Sequence, residues 1–234
     1  MREIVMDTET TGFDAEKDDR IVEIGGIELV NHLPTGRTFH VYINPERSMP
    51  KDAFEVHGLG DDFLRDKPKF AEVVRDFVDF IGDDARLVIH NASFDMKFLN
   101  AEFRRAGYPA LPWSRALDTL ALAREKFPGA PASLDALCRR FGIDNSNRQL
   151  HGALLDSELL AEVYLELIGG RQPDLVLDQP LRGGTVPGQQ GGGTGPRAAR
   201  PVPLPPRLTP AEAAAHAEFV ARLGETSIWG RYTG

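Results

Sequence analysis

The sequence of 234 residues predicts one α/β domain over residues 1–170, followed by a tail of different composition. Two features predict the domain: three segments rich in Ile, Val and Phe near the N-terminus, and apolar residues that later recur at helical spacing between short apolar segments. A third feature, a stretch rich in Gly and Pro at 178–208, marks the end of that pattern.

The predicted elements alternate in a way that indicates a mixed sheet. Segments 2–9, 20–30 and 37–43 are predicted strands, and the short polar or Gly/Pro turns between them favour antiparallel pairing. Two further strands are predicted over 86–90 and 114–118, and helices over 70–81, 93–106, 119–126, 133–141 and 152–168. The expected architecture is therefore three antiparallel strands followed by strand–helix units, with helices flanking the sheet.

The tail differs from the domain in composition and charge. Residues 178–208 contain 7 Gly, 7 Pro and no aromatic residue in 31 positions, which is too little apolar surface to offset the entropy of folding, so we expect a flexible linker. Residues 1–170 carry 30 acidic and 20 basic side chains, whereas 171–234 carry 5 and 7. Residues 209–212, with the sequence TPAE, have the N-cap, the proline and the capping-box glutamate that begin a helix.

Composition excludes several classes of protein. Hydrophobic residues make up 41% of the chain, and none of its apolar runs approaches the roughly 20 residues that cross a bilayer. The single cysteine, Cys138, forms no internal disulfide and builds no zinc site by itself. Asp7 stands where a signal peptide would be apolar, so we expect cytoplasmic residence. With a net charge of −8, the chain lacks the basic surface of a protein that binds duplex DNA tightly, so a nucleic-acid partner would need a local site bridged by cations.

Acidic residues occur at positions where a strand would otherwise be apolar. Val5, Asp7 and Glu9 share one face of the first strand because side chains alternate along it. Two carboxylates so near each other repel, so the pair forms either a solvated edge or a site for a divalent metal. A third acid, Asp95, lies in the first turn of the helix after strand 86–90, where an acid alone would be ordinary helix-dipole chemistry.

A histidine and a fourth acid complete the pattern. His151 and Asp156 are five residues apart, about 140° around an ideal helix, so the histidine is expected on the segment that enters the helix carrying Asp156. Histidine has the near-neutral pKa that suits a general base. Four carboxylates and one histidine match phosphoryl transfer with two divalent metal ions, and oxygen ligands favour Mg²⁺ or Mn²⁺ over zinc.

Five sequence strings together resemble the DEDDh exonuclease superfamily over about residues 1–177. The strings are DTETTG, VHGL, HNASFDMKFLNAEF, SLDALCRRFGIDNS and HGALLDSELLAEVYLELIGG. The resemblance places the chain in the histidine branch, and more narrowly among the proofreading subunits of bacterial replicative polymerases. It implies a ribonuclease H-like fold and the removal of nucleotides from 3′ ends as 5′-mononucleotides.

The resemblance also implies a role for each matching position. Asp7, Glu9 and Asp156 would hold one metal ion, Asp7 would also face a second ion near Asp95, and His151 would deprotonate the attacking water. Six positions would surround the terminal nucleotide: Thr10, Gly12, Val56, His57, Asn91 and Phe94. Asp118 and Asp135 lie outside the motifs, and we interpret them as capping or structural residues.

The tail contains two candidate docking segments. Residues 172–177, QPDLVL, are similar to the short peptides that bind a sliding clamp, with Gln172, Leu175 and Leu177 as anchors; the alternative is the start of a linker. The second segment, within 209–234, offers apolar side chains that the resemblance assigns to binding the polymerase catalytic subunit, and its alternative is a frayed tail. These side chains are Phe219, Val220, Leu223 and Trp229. Whether a small accessory subunit binds is left open.

Two rival functions share parts of this pattern. A stand-alone exonuclease that trims RNA or DNA repair intermediates would use the same five catalytic residues, so substrate preference and the tail separate it from a proofreading subunit. A non-catalytic adaptor between clamp and polymerase would have no need to retain mutually repelling carboxylates.

Overall fold

A five-stranded mixed sheet forms the centre of the first of two units into which the chain divides, Met1–Leu177 and Asp178–Gly234. Its strands are β1 Arg2–Thr10, β2 Ile21–Val30, β3 Leu33–Tyr42, β4 Arg86–Ile89 and β5 Ala116–Asp118. Their order across the sheet is β3-β2-β1-β4-β5. The β1–β2 and β2–β3 pairs are antiparallel, and β4 and β5 continue the sheet in parallel with β1. The predicted mixed sheet is confirmed.

The computed structural model describes residues 1–146, 148, 150–170 and 209–223. Its helices are α1 Lys51–His57, α2 Asp61–Leu64, α3 Phe70–Ile81, α4 Ala92–Arg105, α5 Thr119–Lys126, α6 Leu134–Phe141, α7 Ala153–Leu167 and α8 Pro210–Arg222, with a 3₁₀ turn at Trp113–Arg115. The five helices predicted in the domain end within one residue of these bounds. The sequence did not reveal α1 and α2, which are short and lack a broad apolar face; the residue that α1 buries is His57.

The alternation of side chains along β1 determines what each face of the sheet contacts. Ile4 and Met6 belong to the core with α3 and α4, whereas Val5 belongs to a second core with Leu160 and Tyr164 of α7. Asp7 and Glu9 follow Val5 at intervals of two and therefore share the α7 side of the sheet. The face that carries the acids is thus the face that α7 covers.

A close backbone contact fixes where α7 begins. Gly25 of β2 pairs with Asp7 of β1, and a Cβ atom at Gly25 would lie 2.2 Å from the carbonyl carbon of Ala153. One turn further along α7, the Ser157 hydroxyl lies 3.1 Å from the Gly25 carbonyl oxygen, to which it donates a hydrogen bond. The start of α7 therefore rests directly on β2, and Asp156 lies in its first turn.

The described part of the second unit is the helix α8. Thr209 is its N-cap and Pro210 its first residue, as predicted. The Thr209 hydroxyl accepts a hydrogen bond from the Glu212 backbone N–H at 3.3 Å, and the Glu212 carboxylate accepts one from the Thr209 N–H at 2.8 Å. Among the residues that the structure describes, no helix is both long and apolar enough to cross a membrane.

Gly25→Ala tests whether the contact between β2 and α7 depends on the absence of a side chain. Because the added Cβ would overlap backbone rather than a flexible side chain, we expect a loss of about 3 kcal/mol in the free energy of unfolding, measured by chemical denaturation. Gly152→Ala is the matched control, since a Cβ there meets no atom within 4 Å. Equal stability of the two variants would contradict the proposed close contact.

Candidate active site

A cleft of about 450 Å³ opens at the end of β1 where the predicted acids lie. The polar and charged side chains that line it come from β1, the end of β4, α5, the start of α6, and the segment that enters α7 together with its first turn. They are Asp7, Thr8, Glu9, His90, Arg124, Ser133, Asp135, Arg148, His151 and Asp156. Side chains distant in sequence therefore meet at one edge of the sheet, where its parallel strands end.

Three of the predicted site residues form a compact group. One ligand atom from each of Glu9, His151 and Asp156 lies within 4.8 Å of the other two. The His151 Nδ1 atom is 3.6 Å from Asp156 Oδ2. Asp156 is buried on α7, whereas His151 precedes the Gly152 N-cap and is exposed, as the spacing of the two residues predicted.

The other two predicted acids lie next to this group. Asp7 lines the same cleft and is partly buried. Asp95 is 3% exposed in the first turn of α4, and its Oδ1 atom accepts a hydrogen bond from the Thr8 hydroxyl at 2.7 Å. Thr8 stands between Asp7 and Glu9 on β1, so this hydrogen bond ties the third acid to the strand that carries the first two.

Burial and mutual repulsion raise the pKa of three of these carboxyl groups. The pKa of Asp7 lies well above its ordinary value because of burial and then the neighbouring charge of Asp95. Burial, followed by the charges of Asp156 and Glu23, raises the pKa of Glu9 to about 8. Burial raises the pKa of Asp95 to about 7, although the hydrogen bond from Thr8 opposes the shift.

This chemistry fits divalent metal ions. Carboxylate oxygens are the ligands that Mg²⁺ and Mn²⁺ prefer, and a cation among them would relieve the repulsion that raises their pKa values. Glu9 and Asp156 place oxygen atoms within 4.8 Å of each other, and Asp7 lines the same cleft. The residues present are therefore suited to hold such ions.

The sequence did not reveal Arg148, although it lines the cleft. Its side chain is 9% exposed and pairs with both oxygens of Asp156, at 2.5 and 2.8 Å. A second contact joins it to Asp135 Oδ1 at 2.9 Å. The available signal was a single arginine three residues before His151 in a polar loop, which gives no indication of partners on two different helices.

A second cavity, of about 570 Å³, adjoins the first at Glu9. Five of the six residues predicted to surround a terminal nucleotide line it: Thr10, Gly12, Val56, His57 and Phe94. Phe13 adds an aromatic ring that is 89% exposed, with its centroid 6.3 Å from that of Phe94. The sixth predicted residue, Asn91, is not among the residues that line this cavity. It is the N-cap of α4, and its backbone N–H donates a hydrogen bond to Asp118.

The remaining predicted positions fall in two groups. Asp118 caps α5 by accepting hydrogen bonds from the backbone N–H groups of Leu120 and Ala121, as predicted. On α8, Phe219 and Leu223 are exposed and Val220 is partly buried. The proposed clamp anchors and one proposed polymerase contact lie outside the described residues: Gln172, Leu175, Leu177 and Trp229.

Residues 4–164 match the model of the exonuclease family RNase_T. The chain belongs to this family. A DNA polymerase III subunit epsilon of Rickettsia felis is 59% identical over 175 residues, 74% of this chain and 76% of that protein. The corresponding subunit of Escherichia coli (strain K12) is 51% identical over 177 residues, 73% of this chain and 72% of that protein.

Solved structures support the fold. Exonuclease X in complex with 5′ overhanging duplex DNA aligns with a TM-score of 0.56 at 26% identity and covers 71% of this chain and 90% of that one. The nuclease domain of 3′hExo, a DEDDh family member bound to rAMP, aligns with a TM-score of 0.61 at 20% identity over 71% and 91% of the two chains. The chain is a metal-dependent 3′→5′ exonuclease with a ribonuclease H-like fold, as its motifs predicted.

The raised pKa of Glu9 predicts how the metal-free protein responds to pH. Folded Glu9 keeps its proton to about pH 8, whereas unfolded Glu9 loses it near the ordinary value of 4.5, so stability falls as the pH rises through that interval. In EDTA, we expect Glu9→Gln to raise the Tm above that of the parent chain near pH 8, with the difference shrinking towards about pH 5. Differential scanning calorimetry measures both.

Glu158→Gln is the matched control for this experiment, because Glu158 is an exposed glutamate on α7. Its substitution should leave the Tm unchanged at both pH values. A Glu9→Gln protein that melts below the parent chain near pH 8 would contradict the repulsion among the carboxylates.

Proposed function

We propose that the chain is a proofreading subunit that removes mismatched nucleotides from the 3′ ends of DNA made by a bacterial DNA polymerase III. The observation that carries the proposal is the convergence of Glu9, His151 and Asp156 within 4.8 Å, beside Asp7, in a domain of the exonuclease family. The partnership with DNA polymerase III is inferred from the names of the relatives.

In this proposal Asp7, Glu9 and Asp156 would hold one divalent ion, and Asp7 with Asp95 would hold a second. Mg²⁺ or Mn²⁺ bound there would supply positive charge to the attacked phosphate and to the departing oxygen. Asp95 is held for this role by the hydrogen bond from Thr8, and Asp156 by the packing of α7 on Gly25. The carboxylates therefore need little rearrangement to bind metal.

His151 acts as the general base. It takes a proton from water as the water oxygen attacks phosphorus. The bond from phosphorus to the 3′ oxygen breaks, and that oxygen stays on the shortened strand and takes up a proton from solvent to become its new 3′ hydroxyl. Partial desolvation of the half-exposed imidazole, followed by the neighbouring Arg148 charge, lowers the pKa of His151, so the imidazole is neutral and able to accept a proton near pH 7. Its exposed position next to the N-cap of α7 leaves room for a DNA strand to approach.

The second cavity would receive the terminal nucleotide. Its apolar and aromatic residues, including Val56 and Phe94, offer a surface on which a base can pack without being read by hydrogen bonds. A terminus must separate from its complement to enter, so a mismatched end enters more readily than a paired end by the energy of unpairing, a few kcal/mol. Selection for mismatches then comes from melting.

The tail would keep the domain at the polymerase. An acidic domain has weak intrinsic affinity for DNA, and tethering raises its effective concentration at the primer end. The exposed Phe219 and Leu223 of α8 would dock on the catalytic subunit, with Trp229, and residues 172–177 would dock on the sliding clamp. A small accessory subunit that binds the domain is compatible with this arrangement. The complex would act in the bacterial cytoplasm, in replisomes on the nucleoid.

Digestion of three substrates by the full chain tests the function. With Mg²⁺ or Mn²⁺, a 3′-mismatched DNA primer should be degraded at least about tenfold faster than a matched one, because its last nucleotide is already unpaired from the template. Asp7→Asn should reduce the rate by about 10³-fold or more, and His151→Gln by about 10²- to 10⁴-fold. Asp76→Asn, at an exposed position on α3, is the control and should digest normally.

The remaining outcomes of this experiment identify the rivals. Preference for a single-stranded RNA would indicate a stand-alone trimming enzyme. Absence of metal-dependent digestion on every substrate would leave the non-catalytic adaptor and overturn the proposal.

Two sets of substitutions test the tail. Phe219→Asp with Leu223→Asp should abolish co-elution with the purified polymerase catalytic subunit, because a charge replaces each exposed apolar contact. Alanine at the three clamp anchors, Gln172, Leu175 and Leu177, should abolish binding to the sliding clamp. Each set serves as the control for the other, and both should digest free single-stranded DNA at the parent rate. Undiminished binding by both sets would contradict the proposed tethers.

A further inference from the structure

Arg148 engages the carboxylate that the proposed function assigns to a metal ion. Its Nε atom donates to Asp156 Oδ1 at 2.5 Å, and one terminal nitrogen donates to Asp156 Oδ2 at 2.8 Å. This forked pairing takes up both oxygens of Asp156, and both side chains are nearly buried, at 9% and 4% exposed. A cation therefore already sits against the ligand.

The same guanidinium contacts two other groups of the cleft. It lies 2.9 Å from His151 Nδ1, the side chain assigned as the general base. Its other terminal nitrogen donates to Asp135 Oδ1 at 2.9 Å, and Asp135 also accepts a hydrogen bond from Asn145. Asp135 is about half-exposed, at the start of α6. One arginine thus joins a metal ligand, the base and an acid outside the ligand set.

A divalent ion and this guanidinium compete for the same oxygens. Arginine stays charged at every physiological pH, so it cannot give way by losing its proton. A metal ion near Glu9 and Asp156 would repel it and take at least one Asp156 oxygen from it. Asp135 offers the arginine a second carboxylate on which to remain.

We propose that Arg148 holds the metal-free site in place of a divalent ion, and that metal binding displaces it from Asp156 onto Asp135. The proposal rests on the proposed function, since it takes Asp156 as a metal ligand. Arg148 is a positioning residue: it keeps Asp156 and His151 in place before the metal arrives, and its displacement releases both.

The alternative to displacement is that Arg148 is a fixed support, which orients Asp156 for the metal. The two roles predict opposite effects of Arg148→Lys on metal affinity. Lysine keeps the positive charge but cannot form the forked pair with a carboxylate, so a change in affinity does not come from net charge. If the metal has to displace the forked pair, its loss in Arg148→Lys tightens metal binding; if the pair orients Asp156 for the metal, its loss weakens binding.

The experiment is a titration of the full-length protein with Mn²⁺, in which the electron paramagnetic resonance signal of unbound Mn²⁺ gives the affinity without any catalytic turnover. We expect Arg148→Lys to bind Mn²⁺ about three- to tenfold more tightly than the parent chain, the size of one charge-assisted hydrogen bond partly replaced. Arg139→Lys, at an exposed position on α6, is the control and should leave the affinity unchanged. Unchanged or weaker binding by Arg148→Lys would overturn the proposal.

Asp135→Asn provides an independent test that leaves the proposed ligands intact. Without a charged alternative partner, Arg148 is harder to displace, so Asp135→Asn should weaken Mn²⁺ binding several-fold. In the double variant with Arg148→Lys this effect should vanish, because the arginine that Asp135 receives is gone. Equal effects of Asp135→Asn in both backgrounds would indicate simple charge attraction and contradict displacement.

Failure of the proposed function looks different from failure of this inference. If the parent chain binds no Mn²⁺, or binds it equally well with Asp7→Asn, the metal site itself is wrong. If the parent chain binds Mn²⁺ through Asp7 but Arg148→Lys binds no more tightly, only the displacement is wrong. The Tm of every variant in EDTA shows that each one is folded.

Discussion

The repulsion among crowded carboxylates is the constraint around which this domain is built. Asp7 and Glu9 share one face of β1, and Asp156 approaches them from α7. Left to themselves these charges would separate, so the surrounding structure has to hold them together. Two contacts do so: the packing of Val5 against α7, and the direct seating of the start of α7 on Gly25. The apolar core thus holds the acids close together, although their mutual repulsion favours separation.

The raised pKa values of Glu9 and Asp95 are a consequence of the same crowding. A site that favours protonated acids near neutral pH is also a site that gains most from a cation, because positive charge relieves the repulsion. The domain supplies one cation of its own in Arg148, which is linked to Asp156 and Asp135. Stability and metal binding are therefore two consequences of one crowded arrangement.

Much of this arrangement could be predicted from the sequence because its signals are local. Alternation along β1 placed Asp7 and Glu9 on one face, and the five-residue spacing placed His151 before the helix of Asp156. The capping pattern at Thr209 gave the start of α8. Recognition of the exonuclease family added the grouping of residues that lie far apart in the chain.

The features that the sequence did not reveal depend on contacts between distant segments. Arg148 has no local pattern, since its partners lie on α6 and α7 and meet only when the two helices pack. Helix α1 has little apolar periodicity because the residue it buries is the polar His57. Asn91 adopts a positive φ of 65° at the start of α4 and turns towards Asp118, a position set by backbone geometry.

Helix α7 also separates the cleft from the last described residues of the domain. Its 15 residues span about 22 Å, with Asp156 in the first turn and the exit of the chain towards residue 170 just beyond its last. The cleft and Gly170 consequently lie at opposite ends of this helix. A substrate strand that enters the cleft therefore approaches the N-terminal end of α7, about 22 Å from the residues at its C-terminal end.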